Sequence, residues 1–196
     1  RCCKRNGYAI DRFLSGFGAR LLKPENLSRL MRDSAVIKVQ VLTEIHELMG
    51  TNPYHNDRHA AQIMTDTLRL LALFFTFSPI RFSKEEKVAA MFLMPLIMVC
   101  HDRIQGQRLL GDNERESAQY CYDQIKKFAK NDEERAALKA LIFQVTIDGT
   151  LLLGRFGSMK AVHTCKGRAM NRGSKIAALM TSAASQCDVF RASLKH

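Results

Sequence analysis

Between Val88 and Cys100 run 13 residues that carry no charge, and the run ends abruptly on His101-Asp102. A bilayer takes about 20 apolar residues to cross, so this segment suits the middle of a folded core better than a membrane. A stretch that is apolar on every side must be wrapped by other elements. Apolar residues recur at helical spacing through most of the chain, whereas the period-two alternation of strands is nearly absent. The expectation is an all-α, compact multi-helix domain. It would cover residues 1–196 as one unit, with N-terminal helices in 1–34 and a core in 35–190 that carries any site. Pro95 removes a hydrogen bond inside the central helix and is expected to kink it.

Local signals divide the remainder. Ile10, Phe13, Leu14 and Phe17 predict a short first helix ended by Gly16 or Gly18. Pro24 opens a second helix over 25–32. Ser34 is read as the cap of a third over 35–49, with Val36, Val39, Leu42, Ile45 and Met49 inward and Gly50 closing it. His59 to about Thr76 reads as a helix with Ile63, Thr67, Leu70, Leu71 and Phe74 inward, broken by Ser78-Pro79. Ser83 with Glu86 is a capping box that starts the central helix. Asp112 or Asn113 caps a helix to about Ala129. Asn131 with Glu134 starts another to about Asp148, and Ser174 a last one toward Asp188.

Thirty Lys and Arg against 19 Asp and Glu give a net charge of +11, which favours anionic partners. Arg155, Lys160, Lys166, Arg168, Arg172 and Lys175 fall in a stretch without acids, read either as a solvated loop or as a phosphate-steering rim. The six Cys show no CxxC spacing and suit free thiols in a reducing cytoplasm. The sequence opens at Arg1, with Lys4 and Arg5 but no apolar stretch behind them. That reads as a chain without a signal peptide, cut from a longer protein.

Two polar pairs stand out from this background. His55 and His59 lie four residues apart where a Pro-containing loop, Asn52-Pro53-Tyr54-His55-Asn56, enters a helix, and His101-Asp102 closes the apolar run. Imidazole is the commonest metal ligand, and a carboxylate beside it suits Mg, Mn, Fe or Zn. An imidazole and a carboxylate at the end of a buried helix are costly unless something pairs with them. Asp188, in an otherwise uncharged stretch, faces the same difficulty.

The order His, then His-Asp, then a distant Asp, all on helices, resembles the HD superfamily of metal-dependent phosphohydrolases. Asn-Pro-Tyr-His-Asn-x-x-His-Ala-Ala with Thr-x-x-Leu-x-Leu-Leu behind it, here Asn52 to Leu71, is similar to the opening motif of cyclic nucleotide phosphodiesterases, as is the apolar run into His-Asp. Gly111 to Ala118 looks more like bacterial HD phosphohydrolases. The resemblance spans about Thr43 to Val189 and implies an HD/phosphodiesterase-like helical fold. It also implies a divalent cofactor, one ion or two, held by His59, His101, Asp102 and Asp188, with Asp102 bridging to any second ion. His55 would be the general acid and Glu114, or failing it Glu116, a carboxylate near the attacking water. Tyr54, Asn56, Arg103 and Gln105, which flank these groups, are the candidates for touching substrate. Gln105 stands where the phosphodiesterases carry a further histidine.

The function so implied is hydrolysis of a nucleotide-type phosphoester in the cytoplasm by metal-activated water. One alternative is metal-independent cleavage of a nucleotide-derived protein modification such as ADP-ribose, worked by His55 and Glu114. Another is a nucleotide-binding regulatory module without catalysis, which Gln105 motivates. Nucleic acid ranks behind these, since no binding motif accompanies the positive charge. The sequence sets no oligomeric state.

Overall fold

The computed structural model describes residues 2–77, 81–104 and 112–148, with side chains from residue 8 onward. These residues form a compact all-helical bundle: α1 (Cys2–Leu21), α2 (Pro24–Met49), α3 (Asp57–Phe77), α4 (Lys84–Cys100), α5 (Asp112–Ile125) and α6 (Asp132–Phe143). A 3-10 turn, Lys126–Phe128, follows α5 and a π turn, Gln144–Asp148, follows α6. No strand occurs among the described residues.

The apolar run forms the axis of the bundle. Every residue from Phe92 to Cys100 is buried, and α4 packs against α1, α3 and α5. Its start is fixed as expected. Ser83 Oγ accepts the Glu86 N–H at 3.1 Å, and the Glu86 carboxylate accepts the Ser83 N–H at 2.8 Å. Pro95 lies inside the helix without ending it. Phe17 of α1 meets Phe92 and Phe128 edge-on or tilted, 5.6 and 6.3 Å between centroids, so the core joins α1, α4 and the turn after α5.

Two expected helix breaks are absent. α1 continues through Gly16 and Gly18 to Leu21. Gly18 serves contact rather than termination, because a Cβ there would collide with the Glu85 backbone, and its bareness lets α1 lie close on α4. The second and third expected helices are one. Pro24 does open α2, but Ser34 is buried in mid-helix instead of capping anything. The stripe Leu30, Ser34, Ile37, Val41, Ile45 runs through it without a change of phase, as a single helix requires. That phase turns Val36 and Val39 outward, where they are 64% and 65% exposed, contrary to the expected inward face.

Elsewhere the reading and the structure agree. Ile63, Thr67 and Leu71 are buried on α3, with Leu70 and Phe74 packed partly against the core. Asn131 Oδ1 accepts the Glu134 N–H at 2.9 Å at the start of α6. The helix expected to reach Ala129 gives way to the 3-10 turn after Ile125, and the one expected to reach Asp148 becomes a π turn after Phe143. Cys100 and Cys121 are free and buried. The predicted last helix and the basic stretch from Arg155 to Lys175 lie outside the described residues.

Candidate metal centre

The loop between α2 and α3 is shaped by two asparagines. Asn52 Oδ1 accepts the backbone N–H groups of Tyr54 and His55, at 2.9 and 2.8 Å, in an Asx turn. Asn56 caps α3: its Oδ1 accepts the His59 N–H at 3.0 Å, and its Nδ2 donates to the Asn52 carbonyl at 2.9 Å. Both ends of the Asn56 amide are thus engaged in holding the loop. His55 lies in the loop two residues before α3 and His59 in the first turn of that helix, and both imidazoles reach the same Asp102 oxygen. Tyr54 packs on the two rings, with centroids 4.7 and 4.6 Å away.

From the opposite direction, α3 and α4 lie side by side, and the end of α4 delivers His101 and Asp102 to the same place. Three imidazole nitrogens converge on one carboxylate oxygen. Asp102 Oδ2 lies 3.0 Å from His55 Nδ1, 3.1 Å from His59 Nε2 and 3.0 Å from His101 Nε2. The His59 and His101 side chains are each 6% exposed, Asp102 20% and His55 33%, so the cluster is a partly open recess with His55 at its mouth. One ligand atom each from His55, His59 and Asp102 can lie within 4.8 Å of the others, a spacing that suits a single cation.

The protonation chemistry of His101 tests whether a cation suits this donor set. Its Nδ1 lies 2.6 Å from the Met98 carbonyl oxygen, which only accepts, so Nδ1 carries the proton. A neutral His101 therefore turns a bare Nε2 lone pair toward the anionic Asp102 oxygen. A second proton or a metal ion relieves that contact, and donors of this kind fit a divalent ion. Burial favours the neutral ring, but the Asp102 charge and the hydrogen bonds outweigh it and raise the His101 pKa above its ordinary value. Burial likewise pushes Asp102 up, and the three imidazoles more than offset it, leaving the carboxyl well below the usual range.

The other expected site residues are dispersed. Arg103 sends Nε and Nη2 to Glu44 Oε2, at 3.2 and 3.1 Å, with its guanidinium 4.9 Å from the Tyr120 ring centroid. Tyr120 donates its hydroxyl to the same oxygen at 2.7 Å. The guanidinium is therefore committed to joining α2, the segment after α4, and α5. Glu114 is half-buried in the first turn of α5. It lies one turn before Ser117, whose hydroxyl accepts the Ile104 N–H at 3.1 Å two residues beyond Asp102. Gln105 and Asp188 lie outside the described residues.

Sequence reasoning overlooked the Glu44 and Tyr120 pair and the buried carboxylate of Asp66. Asp66 sits seven residues, two turns, beyond His59 on the same face of α3, and accepts from Gln62 Nε2 at 3.1 Å. That heptad offset from a histidine was the available signal.

The fold and the cluster together define a helical bundle with a histidine–carboxylate recess at one end of its central helix pair. No protein-family model, curated protein or solved structure gives a significant match to the chain.

Proposed function

We propose that the protein is an HD-type, metal-dependent phosphohydrolase acting in the cytoplasm on a nucleotide-type phosphoester. The observation that carries this reading is the convergence of three imidazole nitrogens on Asp102 Oδ2. The motif order along the chain and the all-helical bundle support it. His59, His101 and Asp102 would hold the ion, with Asp188 the further ligand that the resemblance implies. A divalent ion there supplies Lewis acidity toward a phosphoryl oxygen and lowers the pKa of water toward about 7.

The chain's own groups do the rest. Asp102 holds His55 by Nδ1, which fixes the ring and leaves Nε2 as its other proton-carrying position. As the most exposed imidazole of the cluster, His55 is suited to deliver a proton to a departing alkoxide. Glu114, at the start of α5, is the candidate for orienting water. The net charge of +11 draws an anionic substrate toward the recess.

Metal analysis of the purified protein with a panel of phosphodiesters and phosphomonoesters tests the reading. His59→Ala and Asp102→Ala are expected to lose the metal and all turnover, and His55→Ala to keep the metal and slow turnover by about a hundredfold or more. Turnover indifferent to chelator would overturn metal dependence and point to His55 and Glu114 alone. A second reading rests on the mutual 4.8 Å spacing of His55, His59 and Asp102: His55 is itself a ligand. Metal loss in His55→Ala would select it.

A further inference from the structure

α2 is the longest of the described helices, 26 residues, and its inner stripe from Leu30 to Ile45 meets the core. The side turned away carries Arg32, Val36, Val39 and Thr43, all exposed, at alternating steps of four and three residues. That is the spacing of side chains along a seam between two packed helices, with two valines at its middle. Among the described residues this seam has no second helix, and β-branched side chains at the centre of a long helix stand in water.

The charges of α2 say what can cover it. The exposed ones are Glu25, Arg29, Arg32 and Glu47, two of each sign. Of the half-buried ones, Asp33 and Lys38 are again opposite in sign, and Glu44 is held by Arg103. His46 is exposed, 3.4 Å from Asp57. The helix is thus close to neutral on a chain of net charge +11, so two copies can meet along it without the mutual repulsion they would have elsewhere. The order of the charges is also self-complementary. At about 100° per residue, Arg29, Val36, Gln40 and Glu47 share one flank of the outward face. A twofold axis across the helix sets each flank against the same flank of the other copy, run in reverse. With Val36 of each copy against Val39 of the other, Arg29 comes beside Glu47 of the other copy and Arg32 beside Thr43. Within the described chain Arg29, Arg32 and Glu47 make no ion pair that would compete.

We propose that the outward face of α2 pairs with a second copy of itself, antiparallel about a twofold axis, with the four valines at its centre and an Arg29–Glu47 ion pair toward each end. One helix pair buries less than the roughly 1,200 Å² of stable interfaces, so the dimer is weak and reversible. This pairing does not depend on the phosphohydrolase reading.

Sedimentation velocity of the full chain, with its thiols kept reduced and its concentration raised from about 5 to about 500 μM, tests it. The average mass is expected to climb from that of the 22.2 kDa monomer toward twice that value. Val39→Asp, at an exposed position, should weaken association about tenfold or more. Arg29→Glu and Glu47→Arg should each weaken it about threefold or more, and the two changes made together should restore it. Circular dichroism confirms that each variant is folded. A monomer across the whole range overturns the proposal, as does a dimer that Val39→Asp leaves intact, which would place self-association on another face. A double reversal that recovers nothing overturns the antiparallel register and the proposal with it.

Discussion

Two carboxylates on neighbouring elements make an instructive pair. Glu44 and Asp102 each present one oxygen to three close nitrogen or oxygen atoms, at 2.7 to 3.2 Å around Glu44 Oε2 and 3.0 to 3.1 Å around Asp102 Oδ2. The partners of Glu44 are a guanidinium and a phenol, which at neutral pH are always donors. That network is closed and satisfied, and its effect is to bind α2 to α5. The partners of Asp102 are three imidazoles, each of which donates or accepts according to its proton count. That network is complete only with added protons or a cation. The same count of contacts thus means architecture in one place and chemistry in the other, and Asp102 and Arg103 put the two side by side in the chain.

Asp102→Asn should separate the hubs most sharply. Metal content by elemental analysis is expected to fall to background and turnover by about a hundredfold or more, with the fold intact by circular dichroism. Normal metal content in that variant would erase the distinction. Glu44→Ala should do the reverse, lowering urea-measured stability by about 2 kcal/mol while the protein still takes up metal.

The Glu44 contribution also has a defined pH window. Burial pushes its carboxyl up, but the hydrogen bonds from Tyr120, Gln40 and Arg103 outweigh this and hold it below the ordinary 4.5. A depressed folded pKa means that this stability is present above about pH 4.5 and is lost as the pH falls through the folded value. Urea midpoints of wild type and Glu44→Ala are therefore expected to converge in acid, and a constant gap down to low pH would refute the assignment.

Tyr120→Phe removes one donor of the three and should cost about 1 kcal/mol. Ser83→Ala, remote from both hubs, should cost about as much or slightly less through loss of the cap, with metal content unchanged.

The parts of the fold legible in the sequence were those specified locally. The Ser83 and Asn131 caps, the helical phase of α3 and the buried character of α4 all follow from residues within one or two turns of each other. The His-x-x-x-His and His-Asp spacings likewise announced the residues that meet at Asp102. Misreadings arose where a residue's role is set from a distance. Gly18 resembles a terminator until Glu85 of α4 is seen against it. Ser34 resembles a cap unless the stripe from Leu30 to Ile45 is followed through it. Arg103 looks available for a substrate because nothing near it in the sequence announces Glu44, 59 positions earlier. Tyr120, 76 positions from Glu44, is equally silent.

The chain contains no tryptophan and only four tyrosines. Tyrosine fluorescence, ordinarily drowned, is therefore the native emission of this molecule. With Tyr54 set edge-on to the His55 ring and tilted against the His59 ring, part of that light originates inside the recess itself. Filling or emptying the recess should register as a change in brightness, giving an unlabelled optical titration of the site.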